Sequence, residues 1–205
     1  APDARSAECT PCGAGTYQGE PGQTTCETCP AGSVCPAGSS AALPCDAGGY
    51  SSSEGLSSQS QCTPCPEGSS CSTGSIEPAP CSPGTVAPSE GSPTCTKCAA
   101  GTYQDEPGKT ACESCDDGSY CVEGAAAPLP CGAGTYQNAS LTVMTSKEQC
   151  IACPEGSSCS TGAAEPSACS PGSVAPDARS AECTACDAGT YQGQPGQTAC
   201  ETCPA

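Results

Sequence analysis

The residues in this chain with chemistry to offer are its cysteines, 24 among 205 residues, sixteen of which stand in eight C-x2-C pairs. Such pairs serve thiolate coordination of a metal, dithiol redox exchange, or structural disulfides. Cys9, Cys12, Cys26 and Cys29 have the spacing C-x2-C-x13-C-x2-C, which resembles a four-cysteine zinc site, and the spacing returns from Cys95 and from Cys183. Against zinc, Cys35, Cys45, Cys71 and Cys81 fall in spacings that make no knuckle, and the chain has no His. A redox C-x2-C needs a βαβ setting, and no stretch here has that pattern. The spacing favours disulfides, with zinc kept as the alternative. Acid–base catalysis has little to work with: there is no His, no G-x-S-x-G elbow and no carboxylate pair in an apolar context. The chain is expected not to be an enzyme.

Repetition constrains which cysteines pair. CGAGTYQGEPGQTTC at Cys12 to Cys26 returns as CAAGTYQDEPGKTAC at Cys98 to Cys112 and as CDAGTYQGQPGQTAC at Cys186 to Cys200. Every loop that begins C-x-x-G-[GST]-[YV] closes on a cysteine after a long gap: Cys12 with Cys26, Cys45 with Cys62, Cys81 with Cys95, Cys98 with Cys112, Cys131 with Cys150, Cys169 with Cys183, and Cys186 with Cys200. Taking those as bonds leaves short loops from Cys29 to Cys35, Cys65 to Cys71, Cys115 to Cys121 and Cys153 to Cys159. Cys9 and Cys203 remain over. Cys9 is equivalent to Cys183, whose partner lies upstream, and Cys203 to Cys29, whose partner lies downstream. Both are expected to be inter-repeat cysteines with partners outside this stretch.

The elements that must hold these loops are unusual. The chain has 25 Gly and 22 Pro, no Trp or Phe and one Met, and its bulky aliphatics show neither helical nor strand period. No conventional hydrophobic core is available. In the chain-entropy account a 15-residue disulfide loop contributes about 3 kcal/mol, so covalent staples take the core's place. The expected fold is a set of small disulfide-rich tandem repeats, forming an elongated rod of short irregular β-hairpin loops with almost no helix. Disulfide-dense chains persist in oxidising compartments, so the expected localisation is extracellular or at the cell surface.

Residues 1–31 match residues 175–205 at all but four positions, an offset of 174, and a weaker copy starts at Ala87. The chain therefore divides into the end of a repeat at 1–25, a complete repeat at 26–111 (modules 26–61, 62–94 and 95–111), a second at 112–199 (modules 112–149, 150–182 and 183–199), and the start of a third at 200–205. Periods of this size signal solenoids or arrays. Twenty-two acidic against five basic residues give a net charge of −17, which opposes nucleic-acid binding and docking on anionic lipid. No apolar run is long enough to span a bilayer. No resident cofactor is expected. Asp116 and Asp117, near Glu113 and Glu123, form the densest acidic spot and are a candidate for calcium, although a solvated acidic turn is the plainer reading. Asn138, the only Asn, opens the glycosylation sequon Asn138-Ala139-Ser140 in the longest cysteine loop, and Ser-rich stretches such as 51–53 and 57–60 are candidates for O-glycans.

CGAGTYQGEPGQTTCETCPAG and CPEGSSCSTG resemble the cysteine-rich repeats of ephrin-receptor-like and tumour-necrosis-factor-receptor-like modules, over essentially the whole chain. Long uniform arrays of such modules are also similar to mastigoneme proteins, the hair-like filaments of flagella. These resemblances imply an extracellular array. The expected function is a structural subunit of a glycosylated filament, mastigoneme-like or a comparable surface fibre, with flagellar hairs as the expected site and copies of the chain as partners. The alternative is the stalk or ectodomain of a cell-surface receptor or adhesin.

Overall fold

A computed structural model describes residues 9–204. Residues 1–8 and 205, which belong to the partial repeats 1–25 and 200–205, lie outside the described residues. The chain forms two compact units: one runs from the described N-terminus through Thr96 and adds Glu106–Ala111, and the other comprises Lys97–Asp105 and the residues from Cys112 onward.

Both units are built from one element, a rung of about 17 residues. A rung opens on a cysteine, turns through a glycine three residues later, runs a two-residue strand and returns through an antiparallel two-residue strand. In the first, Gly15 takes φ +83° and Thr16–Tyr17 pairs with Glu27–Thr28, Thr16 facing Thr28. The first unit continues with Ser33–Val34 on Leu43–Pro44, Gly49–Tyr50 on Thr63–Pro64, and Ser69–Ser70 on Ala79–Pro80. The second unit has six such hairpins, from Thr102–Tyr103 on Glu113–Ser114 to Thr190–Tyr191 on Glu201–Thr202. Two-residue strands cannot stand alone, so each rung is fastened by a bridge and by its neighbours. Among the described residues the only helical segments are single 3-10 turns at Gln59–Gln61 and Lys147–Gln149.

The interior is sulfur. Cys29, Cys35, Cys45, Cys65, Cys71, Cys98, Cys121, Cys131 and Cys153 are fully enclosed, joined by small aliphatics such as Val34, Ala87 and Ala175. Large apolar side chains instead stand outside, with Leu43 51 % and Ile76 53 % exposed. The fold is therefore the disulfide-rich tandem repeat expected from composition, without a conventional core.

What spacing did not reveal is how rungs bind one another. The amide of Gly15 donates to Cys35 O in the next rung at 2.8 Å, and Gly38 N–H donates back to Cys12 O at 2.8 Å. The same pair of bonds recurs at Gly48 to Cys71 O and Gly74 to Cys45 O. Contact also reaches the rung after next. A Cβ on Gly15 or on Gly68 would be driven into the carbonyl oxygen of Gly55 or Gly108, respectively. Bridges that join only near neighbours in sequence suggest that nothing distant is tied together; the backbone does tie residues about 40 apart, because glycine at both sites lets bare main chain meet main chain.

A second positive-φ position lies later in most rungs and there supplies the back-donated amide. Glycine fills it at Gly55, Gly74, Gly162 and Gly196, but Arg179 holds φ +68° and still donates to Cys153 O at 2.8 Å. An L-residue there costs on the order of 1 kcal/mol. Arg179 is the one non-glycine residue with positive φ among the described residues.

Candidate functional site

The repeated sequence C-x-x-G-T-Y-Q is a set of local fasteners. Thr16 Oγ1 donates to Gly13 O at 2.8 Å, closing the turn behind the opening cysteine, and Thr102 and Thr190 do the same with Ala99 and Asp187. Gln18 sends Nε2 to Thr25 O at 2.9 Å and receives Glu20 N–H on Oε1 at 2.8 Å, so one side chain spans the loop. Gln192 repeats this with Ala199 O and Gln194 N–H. Tyr17 and Tyr191 hydroxyls donate to Glu27 and Glu201, at 3.1 and 3.0 Å. These bonds to carboxylates raise both phenols above the ordinary tyrosine value; partial burial first, then the Asp116, Glu113 and Asp105 charges, raises Tyr103. The sequence marked the motif but not these roles, since side chains that bond within their own loop leave no periodic signal.

The bridges run one to a rung. In the first unit Cys12 is joined to Cys26, Cys29 to Cys35, Cys45 to Cys62, Cys65 to Cys71, and Cys81 to Cys95. In the second, Cys98 is joined to Cys112, Cys115 to Cys121, Cys131 to Cys150, Cys153 to Cys159, Cys169 to Cys183, and Cys186 to Cys200. With Cys12 and Cys26 bonded to each other and Cys29 to Cys35, the four-cysteine zinc arrangement is not assembled. Cys9 and Cys203 carry exposed thiols, and Cys203 N–H already donates to Gly189 O at 2.9 Å, as Cys29 N–H does to Gly15 O.

One rung differs from the rest. The loop from Cys131 to Cys150 has the largest separation, 19, and its extra residues place Val143 over Gly101, where Gly55 lies over Gly15. Met144 fills the space below, 2 % exposed, and its carbonyl takes Cys121 N–H at 3.1 Å. Gln137 leaves its own loop: Oε1 accepts Gly118 N–H at 2.9 Å, the bond that Gly32 makes instead to Ser51 O, and Nε2 reaches Asp117 Oδ1 at 3.3 Å. Asn138 follows, half-buried, with Oδ1 accepting Ser140 N–H at 3.0 Å. The sequon is thus folded into a tight turn on the most divergent loop. Gln149 Oε1 gathers the amides of Thr145 and Ser146, fixing the 3-10 turn where the loop ends.

The acidic spot is not gathered into a metal site. Asp117 is engaged by Gln137, and Glu123 lies 3.6 Å from Lys97 in an exposed ion pair. Among the described residues no group of three or more Cys, Asp or Glu side chains is placed to hold a metal ion. No helix there is long and apolar enough to cross a membrane.

No curated protein matches the chain. A family model, tyrosine-protein kinase ephrin type A/B receptor-like, matches residues 2–41, 84–127 and 172–205, more than half of the chain. The matched stretches carry three of the C-x-x-G-T-Y-Q fasteners with their closing bridges, Cys12 to Cys26, Cys98 to Cys112 and Cys186 to Cys200, and the match indicates repeats of an extracellular, receptor-like or structural type. The chain belongs to the ephrin type A/B receptor-like family of cysteine-rich repeats.

Proposed function

We propose that the chain is a scaffold segment of an extracellular filament, glycosylated at Asn138 and of the flagellar-hair kind or a comparable surface fibre, with the repeats 26–111 and 112–199 as its building blocks. The observation that carries this reading is uniformity. The same glycine-to-carbonyl contact between a rung and the rung after next recurs within both units, as at Gly15 and Gly55 or Gly156 and Gly196. The copies differ mainly by small or polar exchanges, such as Pro11 against Ala185 and Glu20 against Gln194. A contact of one kind that recurs in both units is the sort of repeated interface on which a fibre of tandem repeats can be built. Stiffness follows from one bridge per rung, and solubility from the net charge of −17.

A second reading, the stalk of a cell-surface receptor or adhesin, is favoured by the family description itself. Immunogold labelling with antibodies raised against residues 131–150 separates the two. The scaffold reading expects gold along the shafts of surface filaments; gold confined to the plasma membrane would replace it with the stalk.

A further inference from the structure

We infer that Arg179 is a docking residue whose guanidinium takes a carboxylate from a second copy of this chain. The inference rests on the scaffold reading and names one contact through which copies would associate.

Arg179 sits at φ +68° in a position that glycine fills in other rungs, and its ladder bond to Cys153 O would be made as well by glycine. The backbone therefore gains nothing from the side chain, and the strain is accepted for what the side chain presents. That side chain is exposed and lies within 4.0 Å of no carboxylate among the described residues. Two of the other described cations are held in ion pairs, Lys97 with Glu123 and Lys109 with Glu106. The third, Lys147, lies within 4.0 Å of no described carboxylate but acts on its neighbour Glu148, whose carboxyl is held below its ordinary value by its own backbone amide, by Ser146 and by that lysine.

A second copy is the occupant that charge selects. With 22 acidic residues and five basic ones, two copies repel unless a cation is placed between them. Guanidinium meets carboxylate through paired, charge-assisted hydrogen bonds, a geometry that lysine does not reproduce. The sequence also supplies the residue periodically: Arg5, outside the described residues, precedes Arg179 by the 174-residue offset. A contact recurring once per offset suits lateral registration of copies.

Sedimentation equilibrium on the oxidised chain across a range of salt concentrations tests this, comparing wild type with Arg179→Gly, Arg179→Lys and the double variant Arg5→Gly/Arg179→Gly. Glycine suits φ +68°, so Arg179→Gly keeps the fold, and amide exchange at Gly134 and Gly156 verifies that. Wild type is expected to self-associate, with its advantage over the variants shrinking as salt screens the guanidinium–carboxylate pair. Arg179→Gly should weaken association about tenfold, Arg179→Lys should fall between, and the double variant should weaken it further. Equal association by wild type and the double variant would overturn this inference while leaving the scaffold reading standing. A wild-type chain monomeric under all conditions would overturn both. Arg179-dependent capture by a sulfated polysaccharide without self-association would overturn the second copy as occupant.

Discussion

Replacing Gly68 by alanine tests whether bare backbone contact, rather than bridges alone, holds the rungs. Gly68 has φ +75°, its amide donates to Ala87 O at 2.8 Å, and its carbonyl accepts Cys81 N–H at 2.9 Å. The new Cβ would strike Gly108 O with Gly108 C and Cα behind it, all backbone atoms that no rotamer change can move. The rungs must part, and Gly108 N–H, which donates to Cys81 O at 2.8 Å, loses its partner. The left-handed conformation costs an alanine about 1 kcal/mol and a lost hydrogen bond about another. The local opening free energy should fall by about 2 kcal/mol, near a 30-fold loss of protection at Cys81 and Gly108. Gly172→Ala is the control: φ is +87° but nothing lies within 4 Å of the added carbon, so only the conformational term remains, about a fivefold loss. Gly132→Ala, in open space with ordinary φ, should leave exchange unchanged. Hydrogen exchange with all bridges intact is the right assay, because crosslinked rungs open locally rather than all at once. Equal losses for Gly68→Ala and Gly172→Ala would refute the stacking argument.

Three further outcomes follow from the same geometry. Tyr17 and Tyr191 phenols are raised by their bonds to Glu27 and Glu201; their folded-state values lie above the unfolded one, so their contribution is fully present below about pH 10 and is lost as pH rises through the folded values. Absorbance titration should show phenolate appearing later than in the reduced, unfolded chain, and Glu27→Gln should bring Tyr17 back toward it. Gln137→Leu removes the acceptor of Gly118 N–H, so exchange at Gly118 should rise about five- to tenfold, corresponding to about 1 kcal/mol, while Gly32 stays unchanged. Asn138→Gln should abolish a glycan-sized mass on the 131–150 peptide of native material, and an unmodified native Asn138 would remove glycosylation from the account.

How much of this was legible depends on what leaves a mark in sequence. Absence of a core, near-absence of helix and short hairpins could all be read from the cysteine, glycine and proline content, because those residues act locally. The 17-residue rung was harder to see, since strands of two residues have no alternation to detect. Contacts between a rung and the rung after next join backbone to backbone, so their trace is a glycine recurring about 40 residues on, as from Gly15 to Gly55. That signal is lost among 25 glycines. In the acidic spot, where a solvated turn was the plainer reading, carboxylates crowded in sequence are drawn to separate neighbours by the fold around them, Asp117 to Gln137 and Glu123 to Lys97.

The central claim is that uniform rungs build a regular fibre, and helical averaging of electron micrographs of native filaments containing this chain tests it most directly. The account predicts an ordered helix whose axial repeat accommodates one 86- to 88-residue half or one 174-residue pair. Separate flexible particles without helical order would contradict it.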